Sequence, residues 1–221
     1  MSSELWTAVD QYICDKIVPS DEALDHALRT SDEGGLPPIS VTANQGRFLQ
    51  FLAKIAGAKS ILEIGTLGGY STIWLARTLP DGGKLITLEI DSKHADVARA
   101  NFEFAGLSSK IELRVGKAID SLPKLQEESS APFDLIFIDA DKESNPEYFD
   151  WAVRLSHPGS IIIVDNVVRN GSIIDEGSDD PRVAGVRRLY DALATDRRVS
   201  VTALQTVGSK GYDGFAIALV L

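Results

Sequence analysis

Apolar positions between residues 4 and 30 recur at helical spacing: Leu5, Val9, Tyr12, Ile13 and Ile17, then Ala23, Leu24, Ala27 and Leu28. Pro19 and Ser20 interrupt the run, which predicts two helices, the second capped by Ser20 or Asp21. Gly34-Gly35-Leu36-Pro37-Pro38 reads as a loop. A third helix should follow, capped by Thr42 or Asn44, with Phe48, Leu49, Phe51 and Leu52 on its apolar side. From residue 60 the rhythm changes. Short apolar runs at 60–64, 84–90, 111–115, 133–139 and 161–165 read as strands. They alternate with helical stretches at 70–79, 92–105, about 117–127 and 145–156. Strands alternating with helices imply a parallel sheet with right-handed crossovers. The unbroken apolar character of Leu135 to Ile138 and Ile161 to Val164 places those two strands in the middle, covered on both faces. Residues 182–195 look helical. The last two strands, 198–207 and 214–221, have only residues 208–213 between them, so they should pair antiparallel. No repeat, low-complexity tract or linker divides the 221 residues.

Two of the strands end on an acid. Phe133-Asp134-Leu135-Ile136-Phe137-Ile138-Asp139 and Ile161-Ile162-Ile163-Val164-Asp165-Asn166 each deliver a charge to the carboxyl end of a buried strand. Neighbouring strands lie about 4.8 Å apart, and two carboxylates that close repel unless a cation lies between them. Asp139, Asp165 and the amide oxygen of Asn166 make a hard-oxygen donor set suited to Mg²⁺, with Mn²⁺ or Ca²⁺ as alternatives. Zinc is disfavoured, because His26, His94 and His157 are scattered and there is one cysteine. The bland reading has one aspartate capping a helix and the other binding a backbone N–H.

The first strand runs into a glycine turn, Glu63-Ile64-Gly65-Thr66-Leu67-Gly68-Gly69-Tyr70-Ser71. Such turns let a backbone approach a ligand closely and present free N–H groups at a helix start. The spacing is not G-x-G-x-x-G: Leu67 stands where a dinucleotide's pyrophosphate would need glycine. Glu63 would repel a pyrophosphate and attract a cationic ligand, so the turn suits S-adenosylmethionine, with its amino group and sulfonium, better than a nicotinamide dinucleotide. Glu89 ends the second strand where a carboxylate can accept from ribose hydroxyls. Asp91 is the runner-up, and either could instead cap the helix that starts near Ser92. The expected architecture is therefore α/β: a Rossmann-like, doubly wound, seven-stranded sheet, mostly parallel, with an antiparallel C-terminal hairpin strand. Residues 1–221 form one domain in this reading, with 1–37 as an N-terminal helical extension.

Composition narrows the partners. The formal net charge is −10, which argues against a nucleic-acid backbone as substrate. The N-terminus has no basic patch leading into an apolar run, and no apolar run approaches the roughly 18 residues a membrane helix needs. A cytoplasmic protein with no membrane contact is expected. Cys14 sits in an amphipathic stretch and reads as packing rather than as a nucleophile. Trp151, on a helix with Phe149 and Leu155, likewise reads as core.

The chain resembles the cation-dependent small-molecule O-methyltransferases, the group that includes caffeoyl-CoA and catechol O-methyltransferases. The matching segments are Val41-Thr42-Ala43-Asn44-Gln45-Gly46-Arg47-Phe48-Leu49, Glu63-Ile64-Gly65, Phe133 through Lys142, Asp165-Asn166-Val167 with Asn170-Gly171, and Asp213-Gly214. The resemblance covers about residues 38 to 221. The resemblance implies a class I methyltransferase domain and S-adenosylmethionine as cofactor, with Glu63, Gly65, Thr66 and Ser71 around its methionine part. Val41 would line the same pocket, Glu89 would hold the ribose, and Ala118 would lie against the adenine. Asp139, Asp165 and Asn166 would bind the metal, and Asp139 would also touch the cofactor's amino group. Lys142 matches the lysine proposed as base. Homodimers built partly from N-terminal helices are implied as well. Residues 1–37 and the loop Arg169–Arg182 carry little that matches, nor is Tyr212 assigned a role.

The reaction then expected is methyl transfer to a small phenolic acceptor, a catechol-type vicinal diol. A free phenol has a pKa near 10, so a bound cation that stabilises the oxyanion makes the nucleophile available. The rivals are a nicotinamide-dependent reductase on a similar fold, a cofactor-binding dimer without catalysis, and a nucleic-acid methylase.

Overall fold

A computed structural model describes residues 3–128, 130 and 132–221. The chain runs α1 (Ser3–Ile17), α2 (Glu22–Glu33), α3 (Ala43–Ile55), β1 (Ser60–Ile64), α4 (Tyr70–Ala76), β2 (Lys84–Glu89), α5 (Ser92–Phe104), β3 (Ile111–Val115), α6 (Ala118–Glu127), β4 (Phe133–Ile138), α7 (Asn145–Arg154), β5 (Ser156–Asp165), α8 (Pro181–Thr195), β6 (Val199–Gly208) and β7 (Gly211–Val220). The seven strands form one sheet in the order β3-β2-β1-β4-β5-β7-β6. β1 to β5 are parallel to one another, while β7 is antiparallel to both β5 and β6. This is the expected doubly wound sheet with its antiparallel C-terminal hairpin.

Alternation along β4 shows why both faces are covered. Ile136 and Ile138 belong to a core cluster with Leu122 of α6, Phe149 of α7 and Leu189 of α8. Leu135 and Phe137 point into a second cluster with Leu49 of α3, Ile73 of α4 and Phe102 of α5. A strand with both faces buried needs apolar residues at every position, which is what the sequence supplies. The strand order reverses between β1 and β4, and the crevice at such a switch point is where these sheets bind ligands.

Helix starts follow local capping chemistry. Asp21 accepts from the N–H groups of Ala23 and Leu24, Thr42 from that of Gln45, and Asp91 from those of Lys93 and His94. Asp91 thus caps α5, which leaves Glu89 free for other contacts.

Several boundaries differ from the expectation. β5 begins at Ser156 rather than 161, and α7 ends at Arg154. The added segment holds Pro158 and Gly159, the latter at φ 94°, and the register slips between Phe133 and Leu135. A proline and a left-handed glycine read locally as a loop, but Ser160 Oγ donates to the carbonyl of Phe133 and secures the segment. The last hairpin pairs as far as Gly208 with Gly211, so its loop is shorter than 208–213. Short 3₁₀ turns at Lys142–Ser144 and Arg169–Ile174 were not anticipated. No described helix is long and apolar enough to cross a membrane.

Candidate active site

A cavity of ≈ 890 Å³ opens at the carboxyl ends of the parallel strands. Val41, Gly65, Thr66, Ser71, Glu89, Ala118, Asp139, Lys142 and Asn166 all lie on its wall. Glu63 and Asp165 do not; they are buried at 0% and 5% exposure.

Glu63 is the penultimate residue of β1, just before the turn into α4. Its carboxylate accepts from the hydroxyls of Ser71 (2.6 Å) and Thr87 (2.7 Å) and from that of Thr72. Burial pushes its pKa up to about 7 against the pull of those three hydroxyls. Its immediate partners are thus Ser71 and Thr72 of α4 and Thr87 of β2, and Ser71 stands on the wall. Glu89 Oε2 accepts from the N–H groups of Thr66 (3.2 Å) and Leu67 (2.8 Å), so the second strand's terminal acid grips the glycine turn. Leu67 is held at φ 51° by this grip, a conformation unusual outside glycine. Asn101 Nδ2, on α5, donates to the carbonyl of Gly68 at 2.8 Å and fixes the far side of the turn.

Asp139 and Asp165 directly follow Ile138 and Val164, which are register partners on β4 and β5. The two acids therefore sit side by side at neighbouring strand ends. Burial, then the charge of Asp139, raises the Asp165 pKa well above the usual carboxylate range. Asp165 Oδ2 accepts from Gln45 Nε2 at 2.6 Å, and Oδ1 from the N–H of Asn166 at 2.9 Å. Asn166 adopts φ 58°, a left-handed setting that asparagine tolerates better than most residues. Lys142 is buried, and its Nζ lies 2.8 Å from Asp139 Oδ1. Gly185 of α8 makes this placement tight, because a Cβ there would fall on the carbonyl oxygen of Lys142 and 2.7 Å from Cα of Glu143.

A buried acid, a half-buried acid and a lysine leave a charge arrangement that a divalent cation fits. Asp165 is too buried to ionise cheaply, Asp139 has one cationic partner, and Asn166 offers a neutral oxygen on the same wall. Among the described residues no group of three or more His, Cys, Asp and Glu side chains is set to hold a metal. A cation here would therefore depend on the Asn166 amide and on oxygens from outside the chain.

Some contributors were not picked out from the sequence. Gln45 lies within a matched segment but is 120 positions from Asp165, so no local pattern connects them. Arg169 is on the cavity wall, in the stretch that carried little that matched. Asp213 accepts the N–H groups of Val168, Arg169 and Gly214 through Oδ1, which gives the Asp213-Gly214 pair a structural task. Cys14 is half-buried, donating to Asn44 Oδ1 at 3.4 Å, and Trp151 packs beside the core, away from the main cavity.

A doubly wound sheet of this strand order, with a glycine turn gripped by acids at its switch point, defines a nucleoside-cofactor-binding α/β enzyme. The profile of the O-methyltransferase family matches residues 17–218. The chain is 54% identical over 220 residues, covering all of both chains, to a catechol O-methyltransferase of Niastella koreensis. It is similar in structure to an O-methyltransferase from Bacillus cereus in complex with SAH, with a TM-score of 0.98, 57% identity and full coverage of both chains. It is also similar to the O-methyltransferase TomG of Streptomyces achromogenes in complex with SAM (TM-score 0.96, 47% identity, 100% and 99% coverage). The chain belongs to this O-methyltransferase family, and it is an S-adenosylmethionine-dependent O-methyltransferase. The match begins at residue 17, well before the resemblance read from residue 38 onward.

Proposed function

We propose that this enzyme methylates one hydroxyl of a small vicinal aromatic diol and needs a divalent cation, Mg²⁺ before Mn²⁺ or Ca²⁺, to do so. The carrying observation is the side-by-side placement of Asp139 and the buried Asp165, with Asn166 on the same wall. The name of the Niastella koreensis relative agrees with a catechol acceptor.

In this reading Asp139, Asp165 and Asn166 hold the cation. Gly65, Thr66 and Ser71 surround the methionine part of the cofactor with Glu63 behind them, Val41 packs against it, Glu89 takes the ribose and Ala118 the adenine. S-adenosylmethionine supplies a methyl group on a sulfonium. The cation supplies positive charge that stabilises a phenolate and can be chelated by two adjacent oxygens. Asp139 has two carboxylate oxygens, so it could face the cation with one while Oδ1 keeps Lys142 Nζ beside the acceptor. Lys142 Nζ, once it has given up its own proton, would be the group that takes the phenolic proton. The glycine turn fixes the donor and the strand ends fix the acceptor, and alignment for in-line displacement contributes much of the rate.

The test is transfer from labelled S-adenosylmethionine to a catechol, with and without EDTA. Activity should fall at least tenfold with EDTA and return with excess Mg²⁺. Transfer unaffected by EDTA sinks the cation requirement; no transfer to any diol sinks the acceptor class.

A homodimer is proposed as well. Helix α1 buries no residue, and Leu5 (49% exposed), Val9 (48%), Tyr12 (66%) and Ile17 (69%) leave an apolar face open. Sedimentation should give twice the chain mass for the native protein and the single-chain mass for a Tyr12→Asp, Ile17→Asp double variant. A native monomer refutes this.

A further inference from the structure

Arg169 stands out among the charged groups of the cavity. Its Nε is buried and has no hydrogen-bond partner. Its Nη1 lies 3.9 Å from Asp213 Oδ2, beyond hydrogen-bond distance, and the side chain is 22% exposed. Most of the other charges nearby are engaged, the Glu143 carboxylate on the wall excepted. Lys142 is on Asp139, Arg182 is on Asp180 at 2.7 Å, Glu89 takes the turn's N–H groups, and Asp141 takes the Tyr148 hydroxyl. A buried donor left without a partner is costly, and native proteins rarely keep one without use.

The guanidinium is not what holds the loop. Asp213 anchors this loop through the backbone N–H groups of Val168 and Arg169, contacts any residue could make. Yet Arg169 is kept at φ 55°, with Asn170 at φ 54° beside it. A left-handed arginine is strained, and here the strain holds a cation at the cavity wall three residues after Asn166.

Strand order tells which part of the cavity this is. The cofactor turn follows β1, and its acid partner ends β2. Asp139 and Asp165 end β4 and β5. Arg169 follows β5 and is tied to β7, so it lies across the paired aspartates from the turn. That is the side left for the acceptor. Lys117, the remaining cation on the wall, precedes α6 and lies on the cofactor side.

We propose that Arg169 recognises the acceptor, and that the favoured acceptor is a vicinal diol whose ring carries a carboxylate. The assignment rests on the diol reading above. A guanidinium offers forked donors that match a carboxylate's two oxygens; Nε is enclosed, so the fork here is the Nη pair, whose Nη1 stands 3.9 Å from Asp213 Oδ2. A neutral catechol offers the Nη pair no opposite charge, and an ammonium-bearing catechol is repelled.

The test compares kcat/KM for catechol, 3,4-dihydroxybenzoate and 4-(2-aminoethyl)catechol, with saturating cofactor and Mg²⁺. The native enzyme should favour the carboxylate over neutral catechol by about tenfold, chiefly through KM, and disfavour the ammonium. Arg169→Asn, which keeps a residue tolerant of the left-handed backbone, should bring the carboxylate-to-neutral ratio to about one, and Arg169→Lys should restore part of it. Equal kcat/KM on all three acceptors, or an Arg169→Asn loss by the same factor on each, overturns the assignment and leaves the diol reading standing. Transfer to none of them overturns both.

Discussion

Asp165→Asn is expected to lower methyl transfer by about a hundredfold or more while making the cation-free protein more heat-stable. The loss of activity follows from removing one of the two carboxylates proposed to hold the cation. The gain in stability follows from burial. Asp165 is 5% exposed, and its pKa is raised first by desolvation and then by the charge of Asp139. An acid whose folded pKa lies above its unfolded value binds its proton more tightly when folded. That part of the stability is present below the ordinary value of 3.8 and is lost as pH rises through the raised folded value. At pH 8 the native protein bears the full penalty of an ionised, buried carboxylate beside another, and asparagine bears none. The polar partners can adapt, because Gln45 can turn its amide to meet an NH₂ group. A gain of about 1–2 kcal/mol is expected at pH 8, or roughly 2–8 °C in melting temperature for a chain of this size. At pH 6 the gap should shrink. Saturating Mg²⁺ should reverse the order, since only the native protein binds it well. A melting difference equal at both pH values, or a variant retaining more than a tenth of native activity, would show that the pair is not the strained cation site described here.

The pattern of apolar runs made the sheet and its helices legible, because each central strand needs apolar residues on both faces and each helix needs one stripe. Asp139 and Asp165 were legible for the same reason: an acid ending such a run has one place to be. Sequence does not encode contacts between distant segments in so direct a way. Gln45 reaches Asp165 from α3, and Gly185 closes on Lys142 from α8. Glu63 shows a subtler limit. The period of two puts it on the face of Ile61, turned toward α4, where the hydroxyls of Ser71 and Thr72 meet it. The expectation that it faces a cationic ligand attended to its charge and left out that direction. Arg169 was passed over because a 3₁₀ segment containing left-handed arginine and asparagine gives no periodic signal.

Gly65→Ala should weaken cofactor binding by more than tenfold and destabilise the fold by about 3 kcal/mol, the combined scale of a disallowed backbone angle and an overpacked core. Gly65 sits at φ 99°, outside the small left-handed region that other residues can visit. A Cβ there would land on the carbonyl oxygen of Asp139, 2.8 Å from its carbonyl carbon and 3.4 Å from the N–H nitrogen of Ala140. Neither side can yield easily. The N–H of Gly65 donates to the carbonyl of Leu88 at 2.9 Å, and the N–H of Asp139 donates to that of Ile64 at 2.8 Å. Those bonds tie the ends of β1, β2 and β4 together, so moving one end moves the glycine turn, the grip of Glu89 and the Asp139 carboxylate as a unit. The substitution thus strikes the cofactor pocket and the proposed cation site through one atom. Gly106→Ala provides the contrast: its φ is 67° and nothing lies within 4 Å of the added methyl, so about 1 kcal/mol of backbone strain is all it should cost. Calorimetric titration with S-adenosylhomocysteine and thermal melts of both variants decide the matter. If Gly65→Ala binds within twofold of the native protein and melts no lower than Gly106→Ala, then the close approach of β1 and β4 is not what shapes the pocket.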